Sequence, residues 1–204
     1  MSQIFRFNYL KKFTLFLLPF IFITTFCFAN EPSAEAFIVK LSNEAKTIVN
    51  NKALDEQSRL KKIEELCTAY IDLDKLANYT LGDFKDKITA TQKENFNKLF
   101  KQYFVKSISL KLNDFADQEL KIKDSKKVSD VNIVVNSSIF SKKDGQELMV
   151  DWRIYFNGSS LKVLDLVVEG LSLARTQKEE FASILASKSF DELIKILQTK
   201  NSTK

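Results

Sequence analysis

The lack of histidine sets the first limit on what chemistry this chain can do. None occurs in 204 residues, which removes the commonest general base, the usual partner of a nucleophilic Ser or Cys, and the ligand on which most catalytic zinc sites rely. Carboxylates remain, and three of them, Asp151, Asp165 and Glu169, sit in strand-like surroundings. On a regular strand Asp165 and Glu169 share a side with Val163 and Val167, so one reading is an acid–base pair in an apolar setting. The simpler reading is that each accepts hydrogen bonds from backbone or hydroxyl donors where the sheet meets the last helices. Gly82, Gly145, Gly158 and Gly170 stand apart from one another, so no Gly-rich loop cradles a phosphate. No cofactor or metal is expected.

Residues 1–29 read as a cleaved leader: Arg6, Lys11 and Lys12 precede an apolar run from Phe13 to Phe26, and Cys27-Phe28-Ala29 places small residues where a signal peptidase reads them. The mature chain then begins at Asn30, and residues 30–204 form one domain exported to an extracytoplasmic compartment. Three of the 31 Lys and Arg residues leave with the leader, so 28 face 26 Asp and Glu and the net charge falls from +5 to +2. The basic balance is mostly a targeting feature, and no run of cations interleaved with aromatics suggests nucleic acid as a partner. Of the two cysteines only Cys67 survives cleavage, so the domain forms no internal disulfide. On its helical pattern Cys67 reads as a small buried hydrophobe.

The elements that must position these groups come in three blocks. From Pro32, apolar residues Phe37, Ile38, Leu41, Ala45 and Ile48 recur at helical spacing; Asp55 starts a second helix with Leu60, Ile63, Leu66, Cys67 and Tyr70 inward, and Asp72 a short third. Gly82 ends that section. Thr89-x-x-Gln92 and Thr91-x-x-Glu94 are alternative capping boxes for a long helix carrying Phe96, Leu99, Phe100, Tyr103 and Phe104 on one broad side. After Phe115 the period becomes two. Leu120 and Ile122 begin a strand, Asp124 to Lys127 turns the chain, and Val128 to Phe140 runs on with Val131, Ile133, Val135 and Ile139 on one face. Asp144-Gly145 supplies the next hairpin. Two more helices follow, started by Thr176-x-x-Glu179 and Ser189-x-x-Glu192. Helices, strands, helices argue α+β, with helices packed against a twisted antiparallel sheet of four strands.

The centre of the pattern is residues 148–173. Leu148, Val150, Trp152, Ile154 and Phe156 alternate with Met149, Asp151, Arg153 and Tyr155; Asn157-Gly158-Ser159-Ser160 reverses the chain into Leu161 to Val168, apolar on both parities. This stretch resembles the C-terminal half of the MlaC family, also called toluene-tolerance auxiliary proteins of ABC transport. The resemblance is carried by Val150-Asp151-Trp152-Arg153-Ile154-Tyr155, by Lys162 through Leu173, by Phe181 with Ile184 and Leu185, and by Leu193 to Leu197. Leu161-Lys162-Val163-Leu164-Asp165 stands where the family usually has Trp-Lys-Val-x-Asp. Upstream, Tyr70-Ile71-Asp72 and Leu81-Gly82 with Phe84 occupy similar places, so the likeness spans roughly residues 35 to 198.

The resemblance implies a periplasmic phospholipid carrier with an apolar lipid cavity between sheet and helices. It also implies two partners, an outer-membrane lipoprotein complex and an inner-membrane ABC transporter with a lipid-binding periplasmic subunit. Candidate walls are the aromatic helix (Phe96, Phe100, Phe104) and one sheet face (Val131, Ile133, Val135, Val150, Trp152, Ile154), which the hairpin register extends to Val163 and Val167. Periodicity alone favours the simpler reading, that these residues fill an ordinary core; the resemblance reverses that preference. Two other functions fit the same pattern, a small-molecule enzyme on a cone-shaped α+β fold and a periplasmic lipoprotein chaperone.

Overall fold

In the computed structural model, which describes residues 33–112 and 115–202, every α-helix begins directly behind a residue whose side chain accepts from the N–H three positions on. Ser33, Asp55, Asp72, Thr89, Ser172 and Ser189 take the N–H groups of Ala36, Ser58, Lys75, Gln92, Arg175 and Glu192 at 2.7 to 3.3 Å. Each cap satisfies a donor the helix cannot, worth about 1 kcal/mol. They open α1 (Ala34–Asn50), α2 (Glu56–Tyr70), α3 (Leu73–Leu81), α4 (Ala90–Leu112), α5 (Leu173–Ser187) and α6 (Phe190–Ser202). The expected leader, residues 1–29, and Pro32 lie outside the described residues.

Of the two boxes offered for α4, Thr89 with Gln92 forms: the Thr89 N–H donates to Gln92 Oε1 at 2.9 Å while the Gln92 N–H donates to Thr89 Oγ1. Thr176 with Glu179 does not start α5. Ser172 caps four residues earlier, and the Thr176 hydroxyl donates back to the Ser172 carbonyl inside the helix.

Five antiparallel strands follow one another in sheet order: β1 (Gln118–Lys127), β2 (Asn132–Ser141), β3 (Glu147–Phe156), β4 (Leu161–Val168) and the two-residue β5 (Leu171–Ser172). The α+β class and the antiparallel meander match the sequence reading, while the strand count is five rather than four. Residues 124–127 also differ from expectation. They belong to β1, which passes through a bulge at Lys123 and pairs down to Lys127↔Ile133; the turn is moved to 128–131. The physical reason is position: β1 is an edge strand, where charged side chains reach water and discourage pairing with another chain.

The helices divide their burial. α3, α4, α5 and α6 enclose Phe96, Phe100, Phe181, Leu193 and Leu197, with Phe96 edge-on to Phe181 at 5.9 Å between centroids. α1 and α2 instead cover one sheet face, where Ile38, Leu41, Leu66 and Tyr70 meet Val135, Ile154, Leu161 and Val163. Cys67 and Ile63 form a third, smaller cluster with Leu73 and Val105.

Candidate functional site

Register decides which side chains meet. Lys127, Ile133, Ile154 and Val163 lie opposite one another in a row across four strands, and Ser125, Val135, Trp152 and Leu166 in another. Between these rows β4 slips by one residue, because Arg153 pairs with Asp165 and Ile154 with Val163, leaving Leu164 as the extra residue of a bulge. The slip reverses the parity of β4. Leu166 therefore joins the face of Trp152, while Val167 turns to the opposite face beside Asp151.

The candidate wall is accordingly split. Ile133, Val135, Trp152, Ile154 and Val163 are gathered on the face that α1 and α2 cover, with the Trp152 Nε1–H donating to Ser137 Oγ at 2.9 Å. Val150, 2 % exposed, lies further along that face opposite Ser137 and Val168. Phe96, Phe100 and Phe104 are not part of it: they pack among α3, α5 and α6. Helical periodicity gave α4 an apolar side but could not say whether helices or the sheet would meet it. Val131 is exposed in the β1–β2 turn, and Val167 leaves the face for the reason just given. Neither was placed by an alternation that assumed unbroken strands.

Two clefts open on the other face. A cleft of about 540 Å³ is lined by Leu76 and Tyr79 of α3, Val128 of the turn, Ile133, Val134, Ile154 and Leu164 of the sheet, and Ala174 of α5. Ile133 and Ile154 are the candidate residues that reach it. A second cleft, of about 670 Å³, is lined by Arg153, Arg175, Lys178 and Glu179 with Leu171, Ser172 and Thr176. Tyr79 and Arg153 line both, so an apolar compartment adjoins a basic one. Arg153 is not among the sequence candidates because it alternates with the apolar face of its strand; the row Lys126–Val134–Arg153–Asp165 contributes Val134, Arg153 and Asp165 to a cleft because α3 and α5 lie over it.

Charges at the junction are held in place by named partners. Asp165 accepts from the Ser172 hydroxyl at 2.6 Å, the Ala174 N–H at 3.0 Å and Arg153 at 3.4 Å, which joins β4 to the start of α5. This is the hydrogen-bonded role read from the sequence. Glu169 is separated from it, at φ 49° in the β4–β5 turn, and accepts from the Met149 N–H at 2.6 Å. The two carboxylates do not form an acid–base pair. Lys178 reaches over the Tyr79 ring, 5.4 Å from its centroid, and Lys75 over Tyr155 at 3.8 Å. Tyr155 in turn donates to Asp72, and burial, with Asp72 beside it, pushes its hydroxyl pKa up to about 12. Among the described residues no group of three or more His, Cys, Asp or Glu is placed to hold a metal ion. The arrangement offers a greasy floor and a cationic mouth.

Known proteins fit this geometry. The family described as MlaC protein matches residues 39–199. The intermembrane phospholipid transport system binding protein MlaC of Haemophilus influenzae is 26% identical over 132 residues, which is 63% of this chain and 62% of that relative's length. A phospholipid-binding protein from Ralstonia solanacearum, solved in complex with a phospholipid, superposes with a TM-score of 0.71 at 20% identity, covering 83% of this chain and 97% of that one; at that identity the likeness establishes the fold. Because the family match runs from α1 into α6, across the whole sheet between them, the chain belongs to the MlaC family.

Proposed function

We propose that the protein is a phospholipid carrier that shuttles lipids between the outer and inner membranes, sustaining outer-membrane lipid asymmetry without covalent chemistry. The observation that carries this reading is the adjacency of the two clefts, which share Tyr79 and Arg153, an apolar-to-basic gradient with the polarity of a lipid. Two acyl chains of ~30 methylenes together cost on the order of 24 kcal/mol to expose to water at ~0.8 kcal/mol each, so a carrier must hide the tails while the headgroup can stay wet. A volume of about 540 Å³ falls within the ~300 to 1,000 Å³ of sites that bury most of a ligand. The relatives, named for phospholipid transport and phospholipid binding, support the same substrate class.

The rest of the proposal follows from the sequence and the family. Residues 1–29 direct export and are removed, and residues 30–204 work in the periplasm. There the protein exchanges its cargo with an outer-membrane lipoprotein complex and with an inner-membrane ABC transporter that has a lipid-binding periplasmic subunit. Native mass spectrometry on protein purified without detergent tests the reading. Co-purified diacyl phospholipid is expected; an empty protein that turns over a small substrate, or one that binds only acylated peptides, would replace the carrier with an enzyme or a lipoprotein chaperone.

A further inference from the structure

We infer that the basic cleft is a headgroup seat that selects net-anionic phospholipids over zwitterionic ones; this rests on the carrier reading. Four cations, Lys75, Arg153, Arg175 and Lys178, line the adjoining clefts against two carboxylates, Asp165 and Glu179. Both acids are already engaged. Asp165 is buried under three donors, one of them Arg153, and Glu179 accepts from Arg175 Nε at 3.0 Å. Lys178 and Lys75 lie against aromatic rings rather than carboxylates in this arrangement, so the excess positive charge faces the space where the apolar cleft ends.

The placement of Lys178 depends on a backbone detail. Gly82 ends α3 at φ +55°, and a Cβ there would stand 2.9 Å from Lys178 Cε. With glycine present the lysine stem crosses the end of α3 and its ammonium stays at the mouth beside Tyr79. Arg175 and Lys178, three residues apart on α5, project from one side of the helix, and Arg153 enters from the sheet. A phosphodiester at this junction gains from all three. A headgroup that also carries an ammonium or a choline brings a like charge to the same cations and loses most of that gain; a glycerol headgroup or a free phosphomonoester does not.

A cation beside an anionic lipid surface favours it by about fivefold, so loss of two should be visible in lipid composition. The test is headgroup analysis of lipid extracted from protein purified without detergent, compared with the host membrane. In the wild-type protein the ratio of anionic to zwitterionic lipid should exceed the membrane's by about fivefold or more. Arg175→Glu with Lys178→Glu should bring that ratio down to or below the membrane's, and Arg175→Lys with Lys178→Arg should keep it high. A wild-type ratio equal to the membrane's, or one unmoved by charge reversal, overturns the headgroup seat and leaves the carrier standing. Protein that purifies empty overturns the carrier and this inference with it. Inorganic phosphate titrated against loaded and stripped protein separates a headgroup seat from a free-anion site: binding only to stripped protein supports the seat, and equal binding to both overturns it.

Discussion

Arg153 and Asp165 form an unequal pair: their side chains meet at 3.4 Å, yet the arginine is 57% exposed and the aspartate 7%. The buried member carries the structure. Removing Asp165 strands the Ser172 hydroxyl and the Ala174 N–H at the start of α5, and a stranded buried donor costs about 1 to 3 kcal/mol. Removing Arg153 deletes a solvent-screened interaction worth ~0 to 1 kcal/mol. Asp165→Ala should therefore lower the urea midpoint several times more than Arg153→Ala. Equal losses would show that the ion pair, not the helix cap, matters there.

Adjacent residues of β2 should respond oppositely to charge. Val135 is 0% exposed and shares a cluster with Leu66 of α2, whereas Val134 faces the apolar cleft with Leu164. A carboxylate at Val135 has neither water nor partner and costs a large share of the ~5 to 15 kcal/mol holding a domain together. At the cleft wall, water can enter once the lipid is gone. Val135→Asp should fail to fold, as Leu66→Asp should; Val134→Asp and Leu164→Asp should give normal circular dichroism with little phospholipid in the extract. Folded Val135→Asp depleted of lipid would move the cavity to the α1–α2 side of the sheet.

The contrast between these neighbours also marks where sequence reading stops. Alternation along β2 and β3 identified the apolar face of Ile133, Val135, Trp152 and Ile154, because a period of two is a property of each strand alone. A bulge is not. The extra residue at Leu164 changes hydrogen-bond pairing between strands, and nothing in Leu161–Val168, apolar on both parities, signals it. Val167 turns to the other face for that reason, whereas Arg153 enters a cleft because α3 and α5, distant in sequence, lie over its side of the sheet. The starts of α2, α3, α4 and α6 were legible because a Ser, Thr or Asp acts on an N–H only three residues away, whereas that of α5 lies at Ser172 and not at Thr176. The destination of the α4 aromatics was not legible, since it depends on how α5 and α6 fold back from beyond the whole sheet.

Gly82 should be irreplaceable for conformational more than spatial reasons. Its φ of +55° with ψ of −136° is a region that side chains make unfavourable, at a cost of order 1 to 3 kcal/mol. The atom a Cβ would meet, Lys178 Cε at 2.9 Å, is the end of a flexible chain and can move. Gly82→Ala should lower Tm by several degrees, and adding Lys178→Ala should not restore it. Full restoration would assign the cost to the contact instead of the backbone.

Alkaline pH should destabilise the fold through groups held neutral inside it. Burial pushes the Tyr70 hydroxyl up to about 12, with Glu44 adding to the effect, and Tyr155 likewise with Asp72; the Cys67 thiol rises from 9.0 to about 12 through burial first and Glu64 second, opposed by Lys101. In each case the folded state binds the proton more tightly than the unfolded chain. The stabilisation is thus fully present below the unfolded values, about 9 for the thiol and 10 for the phenols, and disappears as pH climbs to about 12. Denaturant midpoints should hold steady to pH 9 and fall beyond it, with the share of tyrosinate absorbance that Tyr70→Phe with Tyr155→Phe removes appearing together with loss of helical circular dichroism. In Tyr155→Phe the fall should be shallower, although the protein starts less stable for want of the bond to Asp72. Cys67 should resist maleimide at pH 8 until denaturant unfolds the chain. That share appearing well before the fold is lost, or rapid labelling of the native thiol, would show that these groups reach water in the folded protein.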